Sequence, residues 1–294
     1  MKINKEIWQK TCYLLKKEKI GKYKLKDLLN VSEKTAEFLI NAYQNKEIIN
    51  LNLDNYEVKN KEMVVFLSDL HIPFENQDSL QLSINYIEKI KPNKIILGGD
   101  IVDFYKISKF TKNPKEKNIL EEINLTKKFL KDLRNNFPDT EIIYLEGNHE
   151  QRITKFILDN AKELYEILEN ILQEKLRLDE LNIKYREGAF RIGKLWFLHG
   201  HEVNCKNSNV EYITNVVWKK VNDNFICGHW HRTQDKTWKN INNKYYGGYI
   251  VGCLCKDLEY AMINNWNNGF AIINFDNNGN YRIENKKIIE GEIF

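Results

Sequence analysis

Every histidine in the sequence lies in a short polar motif that directly follows an apolar segment. The five motifs, in chain order, are Asp69-Leu70-His71, Gly98-Gly99-Asp100-Ile101-Val102-Asp103, Gly147-Asn148-His149-Glu150, His199-Gly200-His201 and Gly228-His229-Trp230-His231. A single histidine is usually a surface residue or a hydrogen-bonded core residue. Six histidines that all fall in such motifs, beside Asp and Asn, therefore indicate metal ligands. Carboxylate, imidazole and amide ligands together suit Mn, Fe, Zn or Ni, whereas oxygen ligands alone would suit Mg or Ca.

The position of each motif after an apolar segment predicts how the ligands meet. The carboxyl ends of strands in α/β sheets open into a crevice, so five such strands would bring the motifs to one edge. Side chains two positions apart on an extended chain point the same way, which would direct Asp69 and His71 together. The same holds for His229 and His231 if that segment is extended. Glycines beside the ligands would allow tight turns and leave room for phosphate.

The order D-x-H, G-D-x-x-D, G-N-H-E, H-G-H and G-H-x-H resembles the calcineurin-like metallophosphoesterase superfamily over about residues 63–255. The resemblance implies two divalent metal ions, with Mn favoured and Fe, Zn or Ni as alternatives. The implied ligands are Asp69, His71, Asp100 and His231 for one ion, and Asp100, Asn148, His199 and His229 for the other. His201 would lie behind the ligands, because the family usually uses the first histidine of H-G-H.

The same resemblance implies a mechanism for a metal-dependent phosphoric ester hydrolase. A hydroxide shared by two metal ions would attack phosphorus in line, since metal ions lower the pKa of bound water towards neutrality. His149 would face the substrate and stabilise the transition state or protonate the leaving oxygen, and Asp103 would orient its imidazole. Glu150 and Arg152 would lie behind the ligands or contact substrate. Arg152 could equally be a helix-start residue in a structural ion pair.

The motifs favour the phosphodiesterase and nuclease branch of the superfamily, in which G-H-x-H is typical. Asp103 is followed by Phe104-Tyr105, where the protein Ser/Thr phosphatase branch has Arg-Gly. Glu150 and Arg152 resemble the phosphatase branch more closely, so the features of the two branches are mixed.

The segments around the motifs predict an α/β (α+β) fold. Helix-connected strands come first and successive strands follow, which predicts two sheets packed face to face with helices outside. Predicted strands are 63–68, 95–97, 141–145, 194–199, 224–227, 244–251, 270–275 and 281–288, and predicted helices are 79–90 and about 116–135. Residues 151–181 are predicted to form a helical insertion over the site. The phosphoesterase domain would span residues 63–294.

Residues 1–62 have a different pattern and are predicted to form a separate N-terminal domain. Helices are predicted at 7–15, 24–29 and 32–44, with Ser32 as N-cap of the third, followed by a hairpin at 48–58. This order resembles a winged helix-turn-helix, whose third helix would present Lys34, Thr35, Glu37 and Asn41 outward. A small helical cap or a dimerisation element would have the same pattern.

Charge and composition narrow the classes of partner. Residues 1–62 hold thirteen lysines against nine acidic residues, so they carry the whole formal charge of +4. No apolar run approaches the roughly 20 residues that cross a bilayer, and the first residues lack the features of a signal peptide. Five scattered cysteines without a C-x-x-C pair indicate reduced thiols, and we expect a cytoplasmic protein.

The leading hypothesis is a phosphodiesterase that acts on nucleic acid, with DNA held by residues 1–62. Lysines along 106–131 could contact the phosphate backbone, although a solvated helix face explains most of them. Trp230 and Trp238 could stack on bases, or could serve in packing. The alternatives are an enzyme for a small nucleotide or phosphomonoester, with residues 151–181 capping a narrow pocket, and a non-catalytic binding protein of the same fold. Loss of ligand residues would indicate the last alternative, and no ligand is lost.

Overall fold

The computed structural model describes residues 11, 14–15, 20–44, 55–56, 60–108, 118–205, 210–257 and 264–294. The chain divides into two compact units, Met1–Asp54 and Asn55–Phe294. Asn55 and Tyr56, which were predicted in the N-terminal domain, belong to the second unit and pair in parallel with its residues 191–192.

Two helices are described in the first unit, α1 (Lys22–Leu29) and α2 (Glu33–Gln44). The Ser32 hydroxyl accepts a hydrogen bond from the backbone N–H of Thr35 at 3.1 Å, so the predicted cap of α2 is confirmed. Leu25, Ala36 and Leu39 are buried between the two helices. The predicted first helix and hairpin lie almost entirely outside the described residues, and the winged helix-turn-helix therefore stays a prediction.

The second unit contains two sheets. Its strands, in chain order, are β1 (Asn55–Tyr56), β2 (Glu62–Leu67), β3 (Lys94–Leu97), β4 (Glu141–Leu145), β5 (Ile183–Arg186), β6 (Phe190–Ile192), β7 (Leu195–Phe197), β8 (Phe225–Cys227), β9 (Gln234–Lys239), β10 (Tyr245–Ile250), β11 (Asn268–Phe275), β12 (Tyr281–Ile289) and β13 (Glu292–Ile293). One sheet has the order β13-β12-β11-β2-β3-β4-β5, and the other has the order β1-β6-β7-β8-β10-β9. Strands β2 to β5 run parallel, as do β7 and β8.

Helices and short 3₁₀ turns connect these strands. The described helices of this unit are α3 (Gln77–Ile90), α4 (Ile119–Asn136), α5 (Gln151–Asn160), α6 (Tyr165–Leu168), α7 (Ile171–Leu176) and α8 (Ile213–Val221). The 3₁₀ turns are Tyr105–Ile107, Lys162–Leu164 and Val210–Tyr212. Asn76 caps α3, and Asn118 caps α4 in a reciprocal pair of hydrogen bonds with Glu121. None of the described helices is long and apolar enough to cross a membrane.

Both faces of the central strand β2 are buried. Val65 and Leu67 pack in a cluster with apolar residues of α3 and α4, such as Ile87. Val64 and Phe66 pack on the other face in a cluster with residues of the second sheet. Alternate residues thus contact the helices and the opposite sheet. The predicted fold of two facing sheets flanked by helices is confirmed.

Four strands were not predicted: β5, β6, β9 and β13. Strand β9 has the sequence QDKTWK, and its residues are exposed or half-buried at the end of the six-stranded sheet. A solvated edge strand does not need apolar alternation, so its sequence resembles a loop. Strands β5 and β6 have only four and three residues. The predicted 151–181 helical region forms α5, α6 and α7.

Candidate metal centre

The five polar motifs come from both sheets and meet where the strands end. Strands β2, β3 and β4 of one sheet and β7 and β8 of the other each lead into one motif. Nε2 of His199 lies 3.2 Å from Oδ2 of Asp100, and Nε2 of His231 lies 3.3 Å from Oδ1 of Asp69. Each of these contacts joins one sheet to the other, so the centre lies between the two sheets.

The four residues predicted to bind the first ion converge. Nε2 of His71 lies 3.8 Å from Oδ2 of Asp100, 3.9 Å from Oδ1 of Asp69 and 3.1 Å from Nε2 of His231. All four side chains are buried. The donor atoms of the four side chains are therefore concentrated in a small buried volume.

The residues predicted to bind the second ion lie next to the first group. Donor atoms of Asp100, His199 and His229 all lie within 4.8 Å of one another. Oδ1 of Asn148 lies 3.2 Å from Nε2 of His199. Oδ2 of Asp100 lies close to histidines of both groups, which is the position that a bridging carboxylate requires.

The two histidines of the H-G-H motif have different surroundings. Nδ1 of His199 donates to the carbonyl oxygen of Gly98 at 2.8 Å, so the Nε2 atom faces the centre. Nδ1 of His201 instead lies 3.7 Å from Oε2 of Glu202. This arrangement favours His199 as the ligand and leaves His201 beside it.

An unsatisfied buried oxygen indicates that the centre fits a cation. Oδ1 of Asp69 is buried and accepts no hydrogen bond within the described part of the chain. Burying a charged carboxylate costs roughly several kcal/mol of folding free energy unless a positive charge lies next to it. The mixed nitrogen and oxygen donors suit a transition metal ion such as Mn, Fe, Zn or Ni.

Neighbouring imidazoles hold the carboxylates of the centre in their charged form. Burial would raise the pKa of Asp100, but the charges of His149 and His199 outweigh burial and hold that pKa well below its usual range. Burial would lower the pKa of His199, but Asp100 reverses this effect and raises the pKa to about 10. Burial and the neighbouring His199 lower the pKa of His229 to about 3. These carboxylates are thus ionised and available to bind cations.

The ligands do not reach the centre through the alternation of an extended strand, and that prediction is wrong. Asp69, His71, Asp100, His229 and His231 all follow the ends of their strands and have φ values between 51° and 71°. This left-handed backbone costs of order 1–3 kcal/mol for each residue other than glycine. Tight turns, rather than strand pleating, aim these side chains.

Two of the glycines beside the ligands, Gly147 and Gly228, leave room for the ligands themselves. A Cβ atom on Gly147 would overlap the carboxylate and backbone N–H of Asp100. A Cβ atom on Gly228 would overlap the side chains of Ser68 and Asp69. Side chains at these two positions would push the ligand loops apart.

Asp103 contacts both His149 and Arg152. Nδ1 of His149 donates to the carbonyl oxygen of Asp103 at 2.9 Å and lies 3.2 Å from its Oδ1. Arg152 donates to the same two oxygens, at 2.8 and 3.1 Å. Oδ2 of Asp103 lies 3.6 Å from Nδ1 of His71. Asp103 therefore joins the predicted ligand His71 to the predicted catalytic histidine, His149. Arg152 forms an ion pair with Asp103, as the structural alternative for this arginine predicted.

Glu150 lies behind the ligands and is fully buried. Its carboxylate accepts hydrogen bonds from the backbone N–H groups of Asp100, Ile101, Val102 and Gly147, and from the Tyr144 hydroxyl. One side chain thus holds two ligand loops together. This position favours a supporting role for Glu150 over substrate contact.

Two acidic residues with related roles were not predicted. Glu202 accepts from the backbone N–H groups of His199 and Gly200, at 3.1 and 2.7 Å, and so holds the H-G-H turn. Glu122 of α4 accepts from the backbone N–H of Tyr105 at 3.2 Å, just beyond Asp103. The sequence signal for Glu202 was its position directly after H-G-H. Glu122 lies in a helix far from any motif, so it had no such signal.

The chain is similar to known proteins over most of its length. The family model of the calcineurin-like phosphoesterases matches residues 63–263. The Gene 54 protein of Mycobacterium phage L5 is 25% identical over 239 residues, which cover 72% of this chain and 89% of the phage protein. Among solved structures, vacuolar protein sorting 29 from Cryptosporidium parvum has 12% identity and a TM-score of 0.43, and the match covers 80% of this chain and 95% of that chain. Yfce, a phosphoesterase from E. coli, has 12% identity and a TM-score of 0.35, with coverage of 76% and 98%.

Proposed function

Because the chain belongs to the calcineurin-like phosphoesterase family and is a metal-dependent phosphoester hydrolase, we propose that it hydrolyses phosphodiester bonds with two divalent metal ions. The observation that carries this proposal is the position of Asp100. Its Oδ2 lies 3.8 Å from Nε2 of His71 and 3.2 Å from Nε2 of His199, between the two predicted ligand groups.

The ligand assignment follows the two groups. Asp69, His71, Asp100 and His231 would hold one ion, and Asp100, Asn148, His199 and His229 would hold the other. When bound, the ions would supply positive charge for the phosphate oxygens and would lower the pKa of water. We favour Mn because the donors mix imidazole, carboxylate and amide oxygen. Cys and Ser nucleophiles are absent from the five motifs.

The proton for the leaving oxygen would come from His149. The ring is fixed because Nδ1 donates to the carbonyl oxygen of Asp103, which leaves Nε2 to act on the substrate. Burial would lower the pKa of His149, but Asp100 and Asp103 outweigh burial and raise it above the ordinary value. Arg152, next to His149, would contact a phosphate oxygen and orient the phosphate group.

Nucleic acid is the substrate class that we favour, and DNA is the form we expect residues 1–62 to hold. These residues carry the net charge of +4, and Lys34, Glu37 and Asn41 are exposed on α2 while Thr35 is half-buried. In the second unit, Lys128 and Lys131 of α4 are exposed. Phosphate contacts by lysines supply most of the affinity of non-specific nucleic-acid binding.

Trp230 and Trp238 do not support base stacking. The Trp238 ring stacks on Trp218 with a centroid distance of 5.0 Å, and its indole N–H donates to Asn215. The Trp230 ring contacts His229 edge to face at 5.0 Å. Both rings pack inside the second unit, as in the packing alternative.

The test is hydrolysis by the full-length protein in Mn²⁺ with a generic phosphodiester, a phosphomonoester, and single- and double-stranded DNA. We expect turnover of the diester and of DNA, and its loss in EDTA. Turnover of the monoester alone would replace our proposal with the small-substrate alternative. Absence of Mn-dependent turnover on all four would overturn the enzymatic proposal.

The DNA-holding role has its own test in the full chain. Lys34→Glu changes the charge of α2, and Lys26→Glu is a matched control because Lys26 is exposed on α1. We expect Lys34→Glu to weaken salt-dependent DNA binding more than Lys26→Glu does, with hydrolysis of the generic diester unchanged in both. Equal DNA binding by the two variants would contradict recognition by α2.

A further inference from the structure

The segment Cys253-Leu254-Cys255 runs along the metal centre although none of the five motifs includes it. The backbone N–H of Leu254 donates to the carbonyl oxygen of Asp69 at 3.0 Å, and its carbonyl oxygen accepts from Asn76 at 2.8 Å. The Asn268 side chain donates to the carbonyl oxygen of Cys255 at 2.9 Å. Three hydrogen bonds therefore fix the position of Cys255 relative to the Asp69 loop.

The fixed segment places a thiol against one of the predicted ligands. Sγ of Cys255 lies 3.8 Å from Nδ1 of His231, within the range of hydrogen bonds to sulfur, and Cys255 is 2% exposed. On its other side the ring of His231 points Nε2 to Oδ1 of Asp69, at 3.3 Å. Nε2 also lies 3.1 Å from Nε2 of His71, so this nitrogen faces the predicted ligands while Nδ1 faces the Cys255 sulfur.

Two other histidines of the centre, His199 and His149, donate from Nδ1 to a carbonyl oxygen. Nδ1 of His199 donates to the carbonyl oxygen of Gly98 at 2.8 Å, and Nδ1 of His149 to that of Asp103 at 2.9 Å. A hydrogen bond from one ring nitrogen selects the tautomer whose other nitrogen binds metal. For His231, the acceptor within reach of Nδ1 in the described structure is the Cys255 sulfur.

We propose that Cys255 is a positioning residue for His231: its sulfur accepts the Nδ1 proton and so directs the Nε2 lone pair into the first metal site. The proposal rests on the metal centre of the proposed function and adds a residue to it. The Trp266 ring, with its centroid 4.1 Å from that of His231, contacts the imidazole edge to face and restricts its rotation.

The proposal has a direct readout in the wild-type protein. Two-bond ¹H–¹⁵N correlation spectra of Zn²⁺-loaded protein labelled at histidine nitrogen report which nitrogen of each ring carries the proton. The His231 signals are assigned by their loss in His231→Asn. We expect a proton on Nδ1 of His231 and coordination through Nε2. A proton on Nε2 would overturn the proposal.

Mn²⁺ affinity, measured by calorimetry without substrate, provides the second readout. Cys255→Ala removes the acceptor and should weaken one Mn²⁺ site by roughly 10–100-fold, the usual effect of losing such a partner. Cys255→Ser keeps an acceptor and should restore most of that affinity. Cys227→Ala is the matched control, since Cys227 is also fully buried but donates to Tyr249.

The outcomes separate this inference from the proposed function. If wild-type protein binds no Mn²⁺, the proposed function fails. If wild-type protein binds Mn²⁺ and the affinity of Cys255→Ala for Mn²⁺ is within about threefold of the wild-type affinity, only the role of Cys255 fails. The role of Cys255 as a hydrogen-bond acceptor also fails if Cys255→Ser binds Mn²⁺ as weakly as Cys255→Ala does.

Discussion

Nη2 of Arg152 lies 2.8 Å from Nε2 of His149. On the other side of the ring, Nδ1 donates to the carbonyl oxygen of Asp103, so the imidazole is held between that oxygen and the guanidinium. A phosphate oxygen that reached His149 would therefore meet the guanidinium at the same point. Histidine and arginine are expected to act on the substrate as a pair.

Replacing the histidine of this pair tests its catalytic role. His149→Ala should lower kcat by roughly 10²–10⁴-fold, the usual contribution of a general acid. Bound Mn²⁺, measured by elemental analysis, should stay at the wild-type level because His149 is not in either predicted ligand group. Full activity in this variant would contradict the assignment, and loss of metal would make His149 a ligand.

Replacing the arginine tests its contact with phosphate. Arg152→Lys keeps the charge but cannot reach both Asp103 and His149, so kcat should fall by roughly 10–100-fold, as expected for lost hydrogen bonds to charged groups. The control is Arg177→Lys, because Arg177 pairs with Glu180 on the exposed surface at the end of α7. Equal kcat values for the two variants would assign Arg152 a structural role only.

The bridging position of Asp100 predicts a change in metal stoichiometry. Asp100→Asn removes the charge shared by both groups, so bound Mn²⁺ should fall from two ions per chain to about one or fewer. Asp139→Asn removes an exposed carboxylate outside the centre and should leave the stoichiometry unchanged. Two tightly bound ions in Asp100→Asn would exclude a bridging role.

The hydrogen bonds of Glu150 predict a loss of stability. Glu150→Gln replaces one acceptor oxygen with an NH₂ group that faces backbone donors, so the free energy of unfolding should fall by roughly 2–4 kcal/mol. Denaturant unfolding in EDTA measures this change apart from metal binding. Tyr144→Phe removes one donor to the same carboxylate and should cost less. A Glu150→Gln variant as stable as wild type would mean that these hydrogen bonds contribute little.

Burial of Glu122 predicts a pH dependence of stability. Burial, followed by the nearby charge of Asp103, raises the pKa of Glu122 from 4.5 to about 8. The folded state thus holds this proton more tightly than the unfolded state. Protonated Glu122 therefore contributes to the free energy of unfolding. This contribution is fully present below the pKa that Glu122 has in the unfolded chain, and it is lost as pH rises through about 8.

The variant Glu122→Gln is uncharged at every pH and isolates this effect. Its free energy of unfolding relative to wild type should increase between about pH 5 and about pH 8, because each unit of pKa shift is worth about 1.4 kcal/mol. Urea unfolding at several pH values measures the difference. A constant difference across that range would show that Glu122 does not titrate there.

Local patterns in the sequence determined the type of site and the layers of the fold. Apolar strands followed by Asp, Asn, His and Gly motifs are contiguous signals, as in Asp69-Leu70-His71 after β2. The order of these motifs was enough to identify the family. The two facing sheets also followed from the succession of apolar segments, because burial on both faces requires continuous apolar runs.

Tertiary structure alone decided which atoms meet. Glu150 contacts the backbone of Asp100, fifty residues away, and Cys255 contacts His231 across twenty-four. Nδ1 of His199 contacts the carbonyl oxygen of Gly98, which follows β3 of the other sheet. The left-handed turns at the ligands have no local sequence requirement, since residues other than glycine adopt them only when surrounding contacts compensate the strain. Such contacts join residues that are distant in sequence, so the periodicity and spacing of residues along the chain do not predict them.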